Sequence, residues 1–409
     1  MKKYLFSLFL FGFCFAKIEA QCVFGSFGVL SVLEVNHFPE DYASCDSVVF
    51  AMVHIARPVL HTDSLYLLVG VEQDLLMPGC IHLKNLNGFQ NLKYVYGDVL
   101  LYGMDSLETV EALSSLSYIG GDLSIVSCGE LTNLSGLESL TEIGGDVHLF
   151  YNEKLEDISA LSSVDVVGGD VFIKGNPVLE SLEGLEGLQQ VNGDLRIVDN
   201  ASLVNFSGLE NLQEVSGRVI VRNNAALHDF SGLENLMGIG SDFIVSGNAA
   251  LWDFSGLPSL ELVQGSVLLS QNATLSAFTG LEHLQIVEGS VRIAENPSLS
   301  SLAGLDSLEE VGRSLYISSN ASLENLSGLG ALQQIHTLVI GGNEALQSLE
   351  GLEAVLPLGV QKVYIKDNPQ LAFCDLEWLC TYLSNGGAAD IAGNASACAD
   401  LNALSGACE

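Results

Sequence analysis

An asparagine returns every 24 residues through the middle of this chain, and its spacing constrains the fold more than any other feature. The column runs through Asn152, Asn176, Asn200, Asn224, Asn248, Asn272, Asn296 and Asn320, then continues with slips of one or two residues at Asn343, Asn368 and Asn394. Self-similarity at a fixed period of this size is typical of stacked supersecondary units that contact only their neighbours. The sequence therefore predicts a solenoid rather than a globule.

Each repeat also contains a short segment in which buried and outward positions alternate. In one repeat, apolar Val171 and Ile173 alternate with Asp170, Phe172 and Lys174, which is the pattern of a half-buried strand. The inward columns stay apolar at an unchanged spacing, so we expect each strand to lie in register on the one before. The sequence predicts an all-β fold, a single right-handed parallel β-solenoid of 14 or so coils, capped at both ends.

The segment after each asparagine is short and is interrupted by glycine. In the repeat of Asn176, leucines stand three residues apart, at Leu179, Leu182, Leu185 and Leu188, with a glycine inside the run. Only about a dozen residues separate Asn176 from the next strand, which is too few for a helix of average length, about 11 residues, and its connections. We therefore predict compact turns with inward apolar corners.

The asparagine itself is predicted to be structural. A buried side-chain amide offers both donors and an acceptor. Stacked from coil to coil, it can satisfy backbone groups of the turns that would otherwise be costly to bury. We expect Asn152 through Asn320 to form a hydrogen-bonded ladder rather than a ligand site.

The N-terminus has the features of an export signal. Lys2 and Lys3 precede an apolar run that ends at Ala16, and a small residue stands at Ala20. We predict a signal peptide at 1–20, an N-terminal cap at 21–74, the repeat solenoid at 75–370 and a cysteine-rich C-terminal cap at 371–409. No other segment approaches the roughly 20 apolar residues of a membrane span. The prediction is a secreted or cell-surface protein that does not insert into the membrane.

The charge balance excludes some partners. The formal net charge is −35, and without residues 1–20 the chain retains 12 basic and 49 acidic residues. Nucleic acid binding requires a basic face, and anionic membranes attract basic segments. We therefore expect neither partner, and such a charge suits solubility in a saline exterior.

Cysteines cluster near the two ends of the chain. An exported protein can form disulfides, and a solenoid must seal its terminal strands. Spacing predicts Cys22–Cys45 near the N-terminus, with Cys374–Cys398 and Cys380–Cys408 near the C-terminus. Cys80 and Cys128 are two coils apart, about 9.6 Å, so we expect both to remain thiols. The C-terminal spacing fits zinc poorly.

The repeat resembles a known family. The unit Leu-x-x-Val-x-Gly-Asp-Val-x-Ile-x-x-Asn-x-x-Leu-x-x-Leu-x-Gly-Leu is similar to the receptor L-domain type of leucine-rich-like repeat. The ends resemble secreted versions from the Bacteroidetes, through Glu34-Val35-x-x-Phe38-Pro39-x-x-Tyr42-x-x-Cys45 and the cysteines around Gly393-Asn394-Ala395. Leucine-rich repeats accept Asn or Cys in the ladder column, where Cys80 and Cys128 stand. The resemblance implies the fold and a role in binding.

One acidic column suggests chemistry beyond the fold. Five successive repeats carry an aspartate just before the strand: Asp98, Asp122, Asp146, Asp170 and Asp194. Each carboxylate can accept a backbone N–H at its Gly-Asp turn, as serine could. Alternatively, neighbouring carboxylates could hold calcium between coils with hard oxygen ligands. Calcium is the one cofactor that the sequence leaves open.

The outer strand face is the candidate for binding. His148, Phe150, Phe172 and Arg196 bring aromatic and cationic side chains to successive repeats, followed by an apolar stripe of Ile220, Ile244 and Leu268. Exposed apolar patches with a polar rim mark interaction sites. The sequence predicts a non-enzymatic extracellular recognition or adhesion module for a protein or glycan ligand.

Two alternative functions remain open from the sequence. One is a structural cell-envelope spacer. The other is a calcium-dependent, polysaccharide-active β-helix enzyme that uses the aspartate column. The enzyme is disfavoured because the constant 24-residue period leaves no long insertion to build a cleft over the sheet.

Overall fold

The computed structural model describes residues 59–408 throughout, preceded by residues 21–30, 38, 40, 41, 45 and 47–55, with side chains left undescribed for 21–30 and Ser396. The predicted signal peptide therefore lies outside the described residues. The chain divides into two units, Met1–Asp165 and Val166–Glu409. Each is an all-parallel β-solenoid with a repeat of about 24 residues, and the two together comprise about 14 turns with 9% helix. The predicted fold class is confirmed, while the handedness of winding stays a prediction.

The first unit carries two parallel ladders. The long ladder comprises Gln21–Leu30, Ser47–Ile55, Leu75–Pro78, Val99–Tyr102, Leu123–Val126 and Val147–Phe150, and the short ladder comprises Leu68–Val71, Tyr94–Val95, Tyr118–Ile119 and Glu142–Ile143. Strand Ser47–Ile55 belongs to both, because its first half pairs with Leu68–Val71 and its second half with Leu75–Pro78. Single 3-10 turns lie at Asp63–Leu65, Glu111–Leu113 and Ser159–Leu161.

The second unit repeats this arrangement. Its long ladder comprises Val171–Lys174, Leu195–Val198, Val219–Arg222, Phe243–Ser246, Val267–Ser270, Val291–Ala294, Ser314–Ser318, Thr337–Gly341, Lys362–Lys366 and Ala388–Ala392. Its short ladder comprises Val166–Val167, Gln190–Val191, Glu214–Val215, Gly238–Ile239, Leu262–Val263, Ile286–Val287 and Glu310–Val311. The alternation in sequence predicted the long ladder. The two-residue strands are too short to show a period, so no sequence pattern indicated the short ladder.

The core of each coil is filled by the predicted inward columns. Val171 and Ile173 are fully buried, as are the leucines of the following turn. In the second unit one corner of this core is aromatic: Phe206, Phe230 and Phe254 stack with ring centroids 5.1 Å apart, and Phe278 follows at 5.6 Å. Because identical side chains recur at one position, each ring packs on the ring of the coil before.

Two backbone conformations close each coil. The residue before the ladder asparagine is left-handed, as at Asp199 with φ 58° and Gly247 with φ 71°. The Gly-Leu pair needs glycine for a different reason. Gly232 has φ 105°, and a Cβ there would lie 2.1 Å from the carbonyl oxygen of Phe206. Only glycine adopts this φ without strain, so the pair marks the place where one coil packs closely on another.

The asparagine column forms the predicted ladder. In the first unit Asn152 Oδ1 accepts the backbone N–H of Cys128 at 2.9 Å, and its Nδ2 donates to the carbonyl of Ile125 at 3.0 Å. The second unit repeats this geometry, with Oδ1 of one asparagine accepting the N–H of the asparagine one coil earlier. These side chains are completely buried, which accounts for the strict 24-residue period.

The C-terminal end of the second unit combines helices with disulfides. Helix Glu377–Ser384 lies between the last two strands of the long ladder, and helix Leu401–Ala407 follows the last strand. Two 3-10 turns lie at Pro357–Gly359 and Ser396–Cys398. The bridges Cys374–Cys398 and Cys380–Cys408 have the predicted pairing, with Cα atoms 6.0 and 5.5 Å apart.

Near the N-terminus, Cys45 is disulfide-bonded. The side chain of Cys22 is not described, so the pairing Cys22–Cys45 stays a prediction. Cys80 and Cys128 are buried and form no disulfide. Burial raises the pKa of the Cys128 thiol to about 11, which keeps it neutral.

Candidate binding faces

The aspartate column serves the backbone of the next coil. In the first unit Asp98 Oδ1 accepts the N–H of Asp122 at 2.9 Å, and Asp122 Oδ1 accepts the N–H of Asp146 at 2.7 Å. In the second unit Asp170 Oδ1 accepts the N–H of Asp194 at 2.7 Å. Where serine replaces aspartate the bond persists, since Ser266 Oγ accepts the N–H of Ser290 at 3.1 Å. Each oxygen therefore ties two coils together.

The glycine before each aspartate makes room for this bond. A Cβ at Gly121 would lie 2.1 Å from Asp98 Oδ1, and one at Gly193 would lie 2.2 Å from Asp170 Oδ1. The carboxylate therefore occupies the space that a side chain would otherwise fill. The Gly-Asp pair therefore recurs for a packing reason. The glycine of one coil leaves space for the aspartate carboxylate of the coil before.

Asp194 sits at the centre of a charge cluster in the second unit. Its Oδ1 accepts the N–H of Arg218 at 2.7 Å, while Oδ2 contacts the guanidinium groups of Arg218, at 2.8 Å, and Arg196. Its side chain is only 12% exposed. Burial raises the pKa of this carboxyl, but the bonds from Arg218 and Arg196 outweigh it and lower the pKa overall.

Arg196 contacts the ring of Phe172 in the adjacent strand. The guanidinium carbon of Arg196 lies 5.4 Å from the centroid of the Phe172 ring, within cation–π range. The same guanidinium lies 3.3 Å from Asp170 as well as contacting Asp194. The carboxylates of Asp170 and Asp194 therefore compensate the positive charge of Arg196, which the sequence pattern predicted to be available to a ligand.

The predicted apolar stripe is only partly exposed. Ile220 and Ile244 are each 9% exposed although they point away from the core, whereas Leu268 is half-buried. Register places Ile220 beside Arg196 and Ile244 in adjacent strands, so their neighbours cover them. These side chains therefore pack mainly against neighbouring strands and leave little apolar surface for a ligand.

His148 and Phe150 lie together on the long ladder of the first unit. Their ring centroids are 4.9 Å apart, at an angle of 36°. His148 Nδ1 is 3.2 Å from Ser124 Oγ, and Nε2 is 3.6 Å from Asp146 Oδ2. Of the four predicted binding residues, these two belong to the first unit, and Phe172 and Arg196 belong to the second.

One group in the described part of the chain has the geometry of a metal site. Ligand atoms of Asp122, Asp146 and His148 lie within 4.8 Å of one another. The histidine was not part of the predicted column, because its position is on the strand, two residues after the aspartate. Calcium binding by Asp98, Asp122, Asp146, Asp170 and Asp194 stays a prediction.

Positive charge in the second unit is concentrated on one surface. The outer strand face of this unit consists of the Asp170 column and the two outward columns that begin at Phe172 and Lys174. It carries seven of the eight Lys and Arg residues between 166 and 408, but only four of the 28 acidic residues. The seven cations are Lys174, Arg196, Arg218, Arg222, Arg292, Lys362 and Lys366. A single cationic face on a strongly acidic unit is the main electrostatic feature of its surface.

Arg222 and Arg292 are the most accessible of the arginines on this face. Both are exposed, and neither makes an ion pair with a residue in the described part of the chain. Neither arginine was a predicted site residue, because the aromatic residues of the sequence pattern lie next to Arg196 instead. The sequence signal that marks Arg222 and Arg292 is the excess of basic over acidic residues in the outward strand columns.

Two solved structures are similar to this chain over most of its length. The TLR13–ssRNA13 complex matches over 90% of this chain and 56% of that chain, with 18% identity and a TM-score of 0.39. A leucine-rich repeat protein from Bacteroides ovatus ATCC 8483 matches over 88% of this chain and 85% of that one, with 15% identity and a TM-score of 0.34. This chain thus spans little more than half the length of the TLR13 chain.

The parallel β-solenoid of each unit is consistent with a leucine-rich-repeat-like protein. Neither the protein-family models nor the curated proteins gave a match. Among the described residues, no helix combines the length and the apolar character that crossing a membrane requires.

Proposed function

We propose that this chain is an extracellular recognition or adhesion module that binds a protein or glycan ligand without catalysis. The site we assign is the outer strand face of the second unit. The proposal rests on one observation, that this face gathers seven of eight cationic residues in a unit with 28 acidic ones. Local charge of one sign on an oppositely charged molecule steers and orients a complementary partner.

The chemistry of the face defines the partner further. Arg222 and Arg292 are exposed, and Phe172 and Tyr316 add half-buried aromatic rings in the same sheet. Arginine and aromatic side chains supply most of the binding energy at interfaces. A ligand that carries carboxylate groups, either an acidic polysaccharide or an acidic protein segment, complements this surface.

The regular repeat supports binding over catalysis. Turns between strands keep nearly constant length from Asn176 to Asn320, so no insertion rises over the outer strand face of this unit. Enzyme sites are concave and exclude water around reacting groups. A flat face with in-register side chains suits an extended ligand that contacts several coils at once.

The test starts with the mature chain on an array of acidic and neutral glycans and of extracellular proteins. For each ligand found, dissociation constants are compared for Arg222→Ala, Arg292→Ala, Phe172→Ala and Arg196→Ala. We expect at least one of these to weaken binding about tenfold, which is about 1.4 kcal/mol. Binding should also weaken as salt concentration rises.

Arg313→Ala is the matched control, because Arg313 is the one exposed arginine of the described second unit outside this face. It should leave affinity within about twofold. Equal effects of all five substitutions would show a nonspecific charge effect and contradict the proposal. If none of the four face substitutions changes the dissociation constant of a ligand, that ligand binds elsewhere and the assigned site is wrong.

A further inference from the structure

A cluster of tyrosines interrupts the short ladder of the first unit. In its first column Gly70 is followed by Tyr94, Tyr118 and Glu142 in successive rungs. In the next outward column Tyr96 stands 24 residues after Glu72, at a position that glycine occupies in the following two coils. The three rings are therefore confined to two coils and do not belong to the repeat pattern.

The rings contact one another and remain accessible. Tyr94 and Tyr96 have centroids 4.7 Å apart with planes tilted by 31°, and Tyr96 and Tyr118 are 5.8 Å apart at 75°. Tyr96 is 53% exposed. The cluster thus presents π surface to solvent on the outside of the solenoid unit.

Glycines on both sides shape this cluster. A Cβ at Gly70 would lie 2.2 Å from Tyr94 Cζ, so the ring of Tyr94 lies over the space above Gly70. On the other side, Gly120 follows Tyr96 in the outward column and carries no side chain to cover it. Gly70 leaves space that the ring of Tyr94 occupies, and Gly120 leaves the ring of Tyr96 uncovered.

Carboxylates flank the rings at both ends. The Tyr94 hydroxyl donates to Glu72 Oε1 at 3.4 Å, and Glu142 pairs with Tyr118 in the ladder. Both glutamates are exposed. Burial, followed by the nearby Glu72, raises the pKa of Tyr94 to about 12, so this hydroxyl stays neutral at physiological pH.

We propose that the surface formed by Tyr94, Tyr96 and Tyr118 between Glu72 and Glu142 binds an organic ammonium group, in particular a quaternary one. Aromatic faces attract cations through their quadrupole, and grouped rings recognise quaternary ammonium ligands. The flanking carboxylates add complementary charge. This site lies in the first unit and has the opposite sign to the cationic face of the second, so it goes beyond the proposed function and does not depend on it.

The test uses choline as the probe and 3,3-dimethylbutan-1-ol as its uncharged isostere. Each is titrated into the whole chain while the tyrosine ring signals are followed by NMR. We expect saturable shifts with choline and shifts at least about fivefold weaker with the alcohol, since only the cation gains the quadrupole interaction. Cellohexaose is titrated in parallel as a neutral sugar.

Variants locate the site. Tyr96→Leu keeps an apolar side chain but removes the ring, and should weaken choline binding at least about fivefold, whereas Tyr96→Phe should retain it. Glu72→Gln should weaken binding without abolishing it. Tyr102→Leu is the control, because Tyr102 is 51% exposed in the same unit but belongs to the long ladder.

Circular dichroism establishes that each variant is folded before titration. Equal affinity for choline and the alcohol would reduce the cluster to an apolar patch and overturn the proposal. Preference for cellohexaose would assign it to sugars and overturn it equally. A Tyr96→Leu variant that is folded and still binds choline normally would also overturn it, as would the absence of saturable choline binding.

Discussion

Asn248 accepts the backbone N–H of Asn224, one coil earlier, at 3.0 Å. Its Nδ2 donates to the carbonyl of Val221 at 3.0 Å, and the whole side chain is buried. Removing this amide leaves a buried donor and a buried acceptor without partners, and each such group costs about 1–3 kcal/mol. Asn248→Ala should therefore reduce the free energy of unfolding by about 2–4 kcal/mol, measured by urea denaturation.

Asn235→Ala is the matched control for this prediction. Asn235 is exposed, although its Nδ2 also donates to a backbone carbonyl, that of Glu210, at 2.7 Å. Water can replace an exposed bond, so the cost should stay below about 1 kcal/mol. Similar losses for the two variants would mean that burial of the ladder does not determine its contribution.

The packing of glycine against the aspartate of the coil before predicts contrasting effects of two alanines. Gly217→Ala would place a Cβ 2.3 Å from Asp194 Oδ1 and 2.6 Å from the carbonyl of Gly193, so neighbouring coils must move apart. We expect it to destabilise the second unit by about 1–3 kcal/mol. Gly238→Ala meets nothing within 4 Å and should stay within about 0.5 kcal/mol. Thermal and urea unfolding would measure the stability of the two variants. Equal destabilisation by both substitutions would contradict the predicted close packing at Gly217.

Asp194 should make stability depend on pH in the acidic range. Its pKa is lower in the folded protein than in the unfolded chain, because Arg218 and Arg196 outweigh the effect of burial. The stabilisation is therefore complete above the unfolded pKa, about 3.9, and is lost as pH falls through the folded value. The stability difference between the parent and Asp194→Asn should be constant above about pH 5 and shrink below about pH 4.

Urea midpoints measured across this range would test the sign. Glu261→Gln, at an exposed glutamate of the same unit, is the control and should show no comparable change. A stability difference that grows as pH falls would contradict the assignment of Asp194 as a stabilising carboxylate.

The C-terminal disulfides should protect the end of the second unit. Cys380 of helix Glu377–Ser384 is bridged to Cys408, which directly follows helix Leu401–Ala407, and Cys374 and Cys398 are bridged 24 residues apart. Replacing Cys380 and Cys408 together by serine should destabilise this end by about 2–4 kcal/mol. Because each coil contacts only its neighbours, amide exchange should rise in residues 375–408 and stay unchanged near Phe206. Uniform loss of protection would contradict this local effect.

We retain calcium binding by the aspartate column as a proposal. The Oδ1 atoms of Asp98 and Asp122 accept backbone N–H groups, and an ion would use the second carboxylate oxygens of these two residues. Millimolar calcium should raise the melting temperature of the parent chain, and Asp122→Asn should remove the rise. A melting temperature that does not change with calcium would contradict this proposal. These carboxylates would then serve only as acceptors for backbone N–H groups.

The 24-residue period determined the architecture of each unit without any coordinates. A constant spacing of Asn200, Asn224 and Asn248, with apolar residues alternating before them, allows only in-register stacking, since one slipped residue would bury the outward face. The same local information predicted Cys374–Cys398 and Cys380–Cys408. These features depend on short-range geometry that repeats, so the sequence pattern reveals them directly.

Tertiary structure decided what the side chains do. Arg196 was predicted as a binding cation, but only the fold shows Asp170 and Asp194 around its guanidinium. The tyrosine cluster also needs the fold, because Tyr94 lies over Gly70, 24 residues away, and no local pattern marks that approach. Coil-to-coil contacts between non-identical residues depend on which neighbours share a rung and on the space between them, and periodicity alone does not fix these.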